Sequence, residues 1–151
     1  MDNLFKQKVF QFCKSILEQR ILNAEQAMMN AQEAANSEDK SSMGDKYETS
    51  RAMGQLDRDM NAKQLVEAQT ELNSLMKVNI EFKSDKVISG SIIQTNNDIY
   101  FIGAGIGVLE IDKQKVIVLS QKSPLAILFI GKKVGDEILF NAKKIEIKNI
   151  F

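Results

Sequence analysis

Asn36-Ser37-Glu38-Asp39-Lys40-Ser41-Ser42-Met43-Gly44 is the stretch on which the architecture turns. It collects small and polar residues that favour a turn over a continuing helix, and it separates two long segments that both read as helical. Upstream, from Leu4 to about Ala35, the apolar residues fall at Leu4, Phe5, Val9, Phe12, Ile16, Leu17, Ile21, Ala24, Met28, Ala31 and Ala35. That is the three-and-four spacing of one helix face, with no proline or glycine to interrupt it. Downstream, a second helical stretch opens near Asp45 and runs to about Lys77, with Ala52, Leu56, Met60, Leu65, Ala68, Leu72 and Leu75 on one side. At ~1.5 Å per residue it is about 50 Å long, far longer than a core helix in a protein this small. Two such helices joined by a short polar loop pack antiparallel along their apolar seams, which predicts a rod-like αα-hairpin.

The periodicity changes after Val78, where β-branched residues and glycines replace the Ala, Gln, Glu and Met of the helical half. Val87 to Ile93, Asp98 to Ile102, Val108 to Ile111, Lys115 to Leu119, Glu137 to Phe140 and Lys144 to Ile150 read as short strands separated by turn signals. Asn96-Asn97 and Asp112-Lys113-Gln114 suit hairpin turns. One short helix interrupts them. Ser123 suits its N-cap, Pro124 its first position and Gly131 its stop, while Leu125, Ala126, Leu128, Phe129 and Ile130 supply a face for the strands. The expectation is a two-part α+β protein: an antiparallel coiled-coil α-hairpin over 1–78 followed by a β-rich domain, a small twisted sheet, over 79–151.

Composition narrows the chemistry. The 151 residues are 44% apolar with 20 basic and 20 acidic side chains, as in a soluble folded protein. No apolar run is long enough for a signal peptide, and none approaches the roughly 20 residues that span a bilayer; the expectation is a cytoplasmic protein. Residues 1–78 carry ten basic and twelve acidic side chains and residues 79–151 carry ten and eight, which is no nucleic-acid signature. The chain has no histidine. Ser-His-Asp and Cys-His nucleophile systems therefore lack their base, and a zinc site is equally disfavoured. The single cysteine, Cys13, stands at helical spacing from Val9, Ile16 and Leu17 and reads as a small buried hydrophobe.

Gly103-Ala104-Gly105-Ile106-Gly107 follows an apparent strand in the manner of a dinucleotide-binding loop. Its spacing is G-x-G-x-G, and Val108 to Ile111 continues as a strand where that fingerprint requires a helix. A glycine-rich hairpin turn is the expectation.

Asp45 and Glu48, three apart, follow directly on the break between the helices. Side chains at i and i+3 share a helix face and can grip one hard cation together. The same spacing is also a helix start of capping-box type, and the two readings can both hold. Lys40, Lys46, Arg51 and Arg58 cluster near the tip, as phosphate contacts or as surface charges balancing Asp39, Asp57 and Asp59. Met43 is a candidate apolar anchor there, whereas Met28, Met29, Met53, Met60 and Met76 fill or border the seam.

Two stretches resemble a known family. Ser123-Pro124-Leu125-Ala126-Ile127-Leu128-Phe129-Ile130-Gly131-Lys132-Lys133-Val134-Gly135-Asp136 resembles the signature of Gre-type transcript cleavage factors of bacteria. Gly44-Asp45-Lys46-Tyr47-Glu48 resembles their tip segment, and the order of hairpin then β-rich domain extends the resemblance over nearly the whole chain. The resemblance implies an FKBP-like second domain that docks on RNA polymerase, with Ser123, Pro124, Leu125, Ala126 and Gly131 as its partner-binding residues. It further implies a hairpin that enters the secondary channel of the polymerase. Asp45 and Glu48 would help to hold a Mg²⁺ shared with the polymerase active site and promote hydrolysis of nascent RNA in backtracked complexes. Such a factor is no enzyme by itself, holds no cofactor of its own and meets RNA only through the polymerase.

Gre-type tips continue Glu-Asn-x-Glu-Tyr, whereas this chain continues Glu48-Thr49-Ser50-Arg51-Ala52, with Tyr47 before the glutamate. Those departures touch cleavage more than polymerase binding, so a non-cleaving secondary-channel regulator is the alternative. A peptidyl-prolyl isomerase or chaperone is a third reading. Its aromatic complement in the second half would be limited to Phe82, Tyr100, Phe101, Phe129, Phe140 and Phe151.

Overall fold

The computed structural model describes residues 2–38 and 44–151, with the side chains of 35, 37, 38 and 44–47 outside that description. Two long helices come first, α1 (Asn3–Glu38) and α2 (Gly44–Met76). Asp2 starts α1 as a cap, its carboxylate accepting from the Phe5 amide at 2.9 Å. Asn36, Ser37 and Glu38, read above as part of the loop, still belong to the helix. Turn-favouring residues carry only a modest helix penalty, and a helix already thirty residues long propagates through them. Gly44, the last residue of that run, opens α2, and residues 39–43, with Asp39, Lys40 and Met43, lie outside the described residues.

A six-stranded mixed sheet follows, formed by β1 (Ile92–Thr95), β2 (Ile99–Ile102), β3 (Gly107–Ile111), β4 (Gln114–Leu119), β5 (Glu137–Phe140) and β6 (Lys143–Ile150). The strand order is β3-β4-β2-β1-β6-β5, and a short helix α3 (Pro124–Phe129) lies between β4 and β5 in the chain. The α+β class read from the sequence, helical hairpin first and sheet second, is the class the chain adopts.

The chain divides into two compact units, one made of Met1–Ser15 with Glu71–Phe151 and the other of Ile16–Thr70. In the first unit the inner strands β1 and β2 are buried on both faces, which is why they read as nearly continuous apolar runs. On one face Ile93, Tyr100, Ile102, Ile145 and Ile147 form a core with Leu125, Ala126 and Phe129 of α3. Alternation sends Phe101, Val116 and Val118 to the other face, and they too are buried. Residues from the helix bases complete this unit: Phe5, Val9, Phe10 and Cys13 of α1 and Leu75 of α2 are buried in it. Lys8 bridges to Asp112 at 2.9 Å, and the Ser74 carbonyl accepts from the Gln121 amide at 3.4 Å.

Register has its own device in β6. Ile93 faces Ile150 and Gln94 faces Asn149, but Thr95 faces Ile147, so Lys148 is an extra residue bulged from the ladder. The bulge resets the alternation, which lets Ile150 pack on the same core as Ile145 and Ile147.

Three strand-level expectations change. Val87 to Ser91 is not strand: Lys86 makes an isolated bridge with Lys133, and the Ile88 amide donates to Ser91 Oγ at 2.9 Å in a turn that ends at Gly90, φ 94°. Gly103–Gly107 is not a hairpin turn, because β2 pairs with β4 in parallel and β4 separates it from β3. The segment is a connection that passes the β4 position, and no helix follows it, so the dinucleotide reading stays excluded. The Asp112–Lys113 turn tightens to two residues, both with positive φ, between the paired Ile111 and Gln114.

In the second unit α1 and α2 run antiparallel. Ala27, Asn30 and Ala31 share a groove with Met60, Asn61 and Gln64, and farther along α1 Gln32 and Asn36 share another with Arg51 and Gln55. Numbering rises on one helix as it falls on the other. The seam is narrower than expected. Ala24 and Ala68 are buried, while Leu56 and Met60 are 63% and 61% exposed. A pair of helices with no third layer covers only a thin stripe, and apolar residues flanking it stay in water. Along α1 a run of carboxamide pairs one turn apart supports the helix, with Gln19 to Asn23 and Gln26 to Asn30 at 2.9 Å each.

Candidate functional site

The acidic pair stands at the start of α2. Gly44 opens that helix, so Asp45 and Glu48 both fall in its first turns and their spacing puts them on one side of it. Glu48 is exposed, as are Thr49, Arg51 and Ala52; the side chains of Asp45, Lys46 and Tyr47 lie outside the described residues. Carboxylates at this end of a helix are favoured by its dipole whatever else they do. Two of them three apart also match a small hard cation, which takes one or two protein carboxylates and keeps several waters. Among the described residues there is no group of three or more His, Cys, Asp or Glu placed to hold a metal.

Of the four tip cations, Arg51 and Arg58 are described, and the structure brings them into one groove with Gln32, Asn36 and Gln55. Arg58 donates to Gln32 Oε1 at 2.8 Å and also to the Gln55 carboxamide oxygen. It is held by neutral oxygens rather than by Asp57 or Asp59.

The second candidate segment, Ser123–Asp136, folds as one closed unit, and nearly every motif position has a structural task. Ser123 Oγ accepts from the Ala126 amide at 3.2 Å, and Pro124 takes the first helical position, where a missing N–H costs nothing. Leu125, Ala126 and Phe129 are the buried face of α3. Gly131, φ 84°, follows the last helical turn, and its N–H donates to the Val87 carbonyl at 2.9 Å while the Val87 N–H donates to Lys132 O at 2.8 Å. Asp136 Oδ2 then accepts from the Lys133 amide at 2.8 Å across a turn that contains Gly135, φ 93°.

The sequence assignment of a packing face was therefore too wide. Leu128 and Ile130 are 40% and 43% exposed, because a helix of six residues shows the sheet one narrow stripe. Together with Ile127 and Val134 they are the apolar side chains this segment turns outward. Sequence reading turned Leu128 and Ile130 inward because a helix this short does not reveal its period.

Other singled-out residues are spoken for. Cys13 is fully buried and burial pushes its thiol up to about 12, so it is no nucleophile at neutral pH. Gly103 is packed so tightly that an added Cβ would stand 2.6 Å from the Phe101 ring and 3.0 Å from Leu75. The Gly105 N–H donates to the Glu71 carboxylate at 3.0 Å. The glycine-rich segment thus brings backbone close to the base of α2.

No family model and no curated protein matches the chain. Among solved structures the chain is similar to that of the transcription factor Gfh1, at 10% sequence identity over 89% of each chain with a TM-score of 0.38. Among the described residues no helix is long and apolar enough to cross a membrane.

Proposed function

We propose that this protein is a Gre-like factor that works in the secondary channel of bacterial RNA polymerase and stimulates cleavage of nascent RNA in backtracked complexes. What supports the reading above all is the Ser123–Asp136 run, whose residues resemble the family signature and fold together as a cap, a helix and a glycine-stopped turn. It stands in the same chain as an antiparallel helical pair whose second helix opens on the family-like run Gly44 to Glu48. On this reading the 79–151 region is an FKBP-like docking domain, and the 1–78 hairpin carries Asp45 and Glu48 to the polymerase magnesium. The protein is cytoplasmic and meets RNA only through its partner.

The chemistry expected of the tip is modest and specific. Asp45 and Glu48 would hold a Mg²⁺ shared with the polymerase, an ion that takes one or two protein carboxylates. When bound, such a cation would supply charge stabilisation to hydrolysis of the phosphodiester. The factor is no enzyme alone, since the reacting RNA belongs to its partner. Because Leu125 and Ala126 are buried and Ser123 is a cap, their part in docking is to seat α3. The contact itself falls to Ile127, Leu128, Ile130 and Val134, which are exposed.

A stalled, backtracked polymerase incubated with the protein and Mg²⁺ tests the reading: RNA shortened by the wild type, and by neither Asp45→Ala nor Glu48→Ala, is the expected result. Cleavage indifferent to both substitutions removes the catalytic assignment. Arg51 and Ala52 stand where the family carries a second acid and a tyrosine, which favours one alternative, a channel regulator that does not cleave. That version competes with an active cleavage factor and leaves RNA length unchanged.

A further inference from the structure

Lys6 is the one buried charged side chain among the described residues, 3% exposed. It stands on the inward face of α1, with Val9, Phe10 and Cys13 three, four and seven residues on, all of them buried. A lysine placed this way ordinarily takes a carboxylate or a set of carbonyls in with it. Here no hydrogen bond or ion pair among the described residues engages the ammonium. Asp2, one turn back, spends its carboxylate on the Phe5 amide at 2.9 Å. The charge that does act on Lys6 is of its own sign, that of Lys83.

No fully buried side-chain nitrogen or oxygen among the described residues lacks a partner. The unpartnered Lys6 nitrogen therefore touches the surface at the end of a stem that does not. Desolvation first, and then the like charge of Lys83, disfavour the protonated form and lower its pKa. A desolvated amine of this kind is a nucleophile, whereas exposed lysines are held as ammonium ions at neutral pH.

Access selects the electrophile. A nitrogen that barely reaches the surface admits a small, uncharged, apolar reagent and turns away bulky acyl donors. Electrostatics select the product. An amide would only delete the cation, but a carboxylated nitrogen puts a negative charge beside Lys83 and turns repulsion into attraction. We infer that Lys6 is a site of reversible carbamylation by carbon dioxide, with the carbamate facing the Lys83 ammonium. The ammonium first gives one proton to solvent, and the amine nitrogen adds to the carbon of CO₂. As the N–C bond forms, one C–O π pair moves onto oxygen and a second proton leaves the nitrogen for solvent. The step needs no oxidant and no leaving group, and its reversal restores the ammonium. Neither the acidic tip nor α3 takes part.

The experiment equilibrates the full chain at neutral pH with ¹³C-labelled bicarbonate and carbon dioxide, against chloride at equal ionic strength. A carbamate carbon resonance is expected, and trapping as the ethyl ester with triethyloxonium followed by fragmentation mass spectrometry should place it on Lys6. Occupancy there should be roughly fivefold above that of any other lysine side chain. Lys6→Arg keeps the charge and abolishes the signal. Lys83 is exposed, so its variants leave the core alone. Lys83→Glu both favours the Lys6 ammonium and repels the carbamate, and should cut occupancy by about threefold or more, whereas Lys83→Arg should preserve it. An unmodified Lys6, a carbamate spread evenly over the lysines, or occupancy indifferent to Lys83→Glu would each overturn the inference. RNA cleavage enters none of these readouts, so the outcome is separate from that of the polymerase assay.

Discussion

Lys6 is a charged residue in an apolar place, 3% exposed on the same helix base as Phe5 and Val9. Burial, and then the charge of Lys83, lowers its pKa from the ordinary lysine value. The protonated form is thus less favourable folded than unfolded; the cost is present in full below the folded pKa and is relieved as pH rises through it. Lys6→Met is expected to stabilise the protein at neutral pH by roughly 0.5–1 kcal/mol, less than a full desolvation because the ammonium tip still reaches water. Urea denaturation at neutral pH and again in the lysine titration range should show that gain shrinking as pH rises. For Cys13, held up to about 12, alkylation of the native protein at mildly alkaline pH should run roughly a thousandfold slower than in denaturant, from thiolate fraction alone. A burst of native-state labelling would contradict its packing role.

Among the elements, α3 and the β5–β6 hairpin make the sharpest forecasts. Ser123→Ala removes the α3 cap and should cost about 1 kcal/mol by chemical denaturation, with Ser123→Gly costing less. Ala142 occupies a left-handed position, φ 63°, that disfavours any side chain with a Cβ. Ala142→Gly should therefore stabilise by about 1 kcal/mol, and a loss of stability would mean the turn is not of this kind. These elements also show what sequence could and could not say. Ser123, Pro124 and Gly131 announced α3 because capping is local chemistry, visible without knowing the fold. The turn at Asn141–Ala142 went unread because alanine carries no turn signal. The parallel pairing of β2 with β4 was equally hidden, since periodicity reports which face a residue takes and never which strand lies beside it. At the tip, sequence could place Asp45 and Glu48 on one helix but could not choose between metal and cap, as both uses ask for the same spacing.

For the whole molecule, the two compact units have different relations to the chain. Residues 16–70 are continuous, whereas the other unit gathers Met1–Ser15 and Glu71–Phe151 from both sides of them. A fragment of 79–151 lacks Phe5, Val9, Phe10, Cys13 and Leu75, all buried in that unit, and should give a poorly dispersed amide spectrum. Residues 1–15 joined to 71–151 by a short flexible linker should give a dispersed one. A folded 79–151 fragment would show that the helix bases are dispensable to the sheet.

The placement of β6 carries this further. The last long strand lies inside the sheet, between β1 and β5, not at its edge. Ile145 and Ile147 of β6 belong to the face that α3 covers, together with Leu125, Ala126 and Phe129. A nascent chain stalled short of Lys143–Ile150 would thus leave the apolar face of α3 without part of its core, and it is at that stage that a chaperone has something to hold.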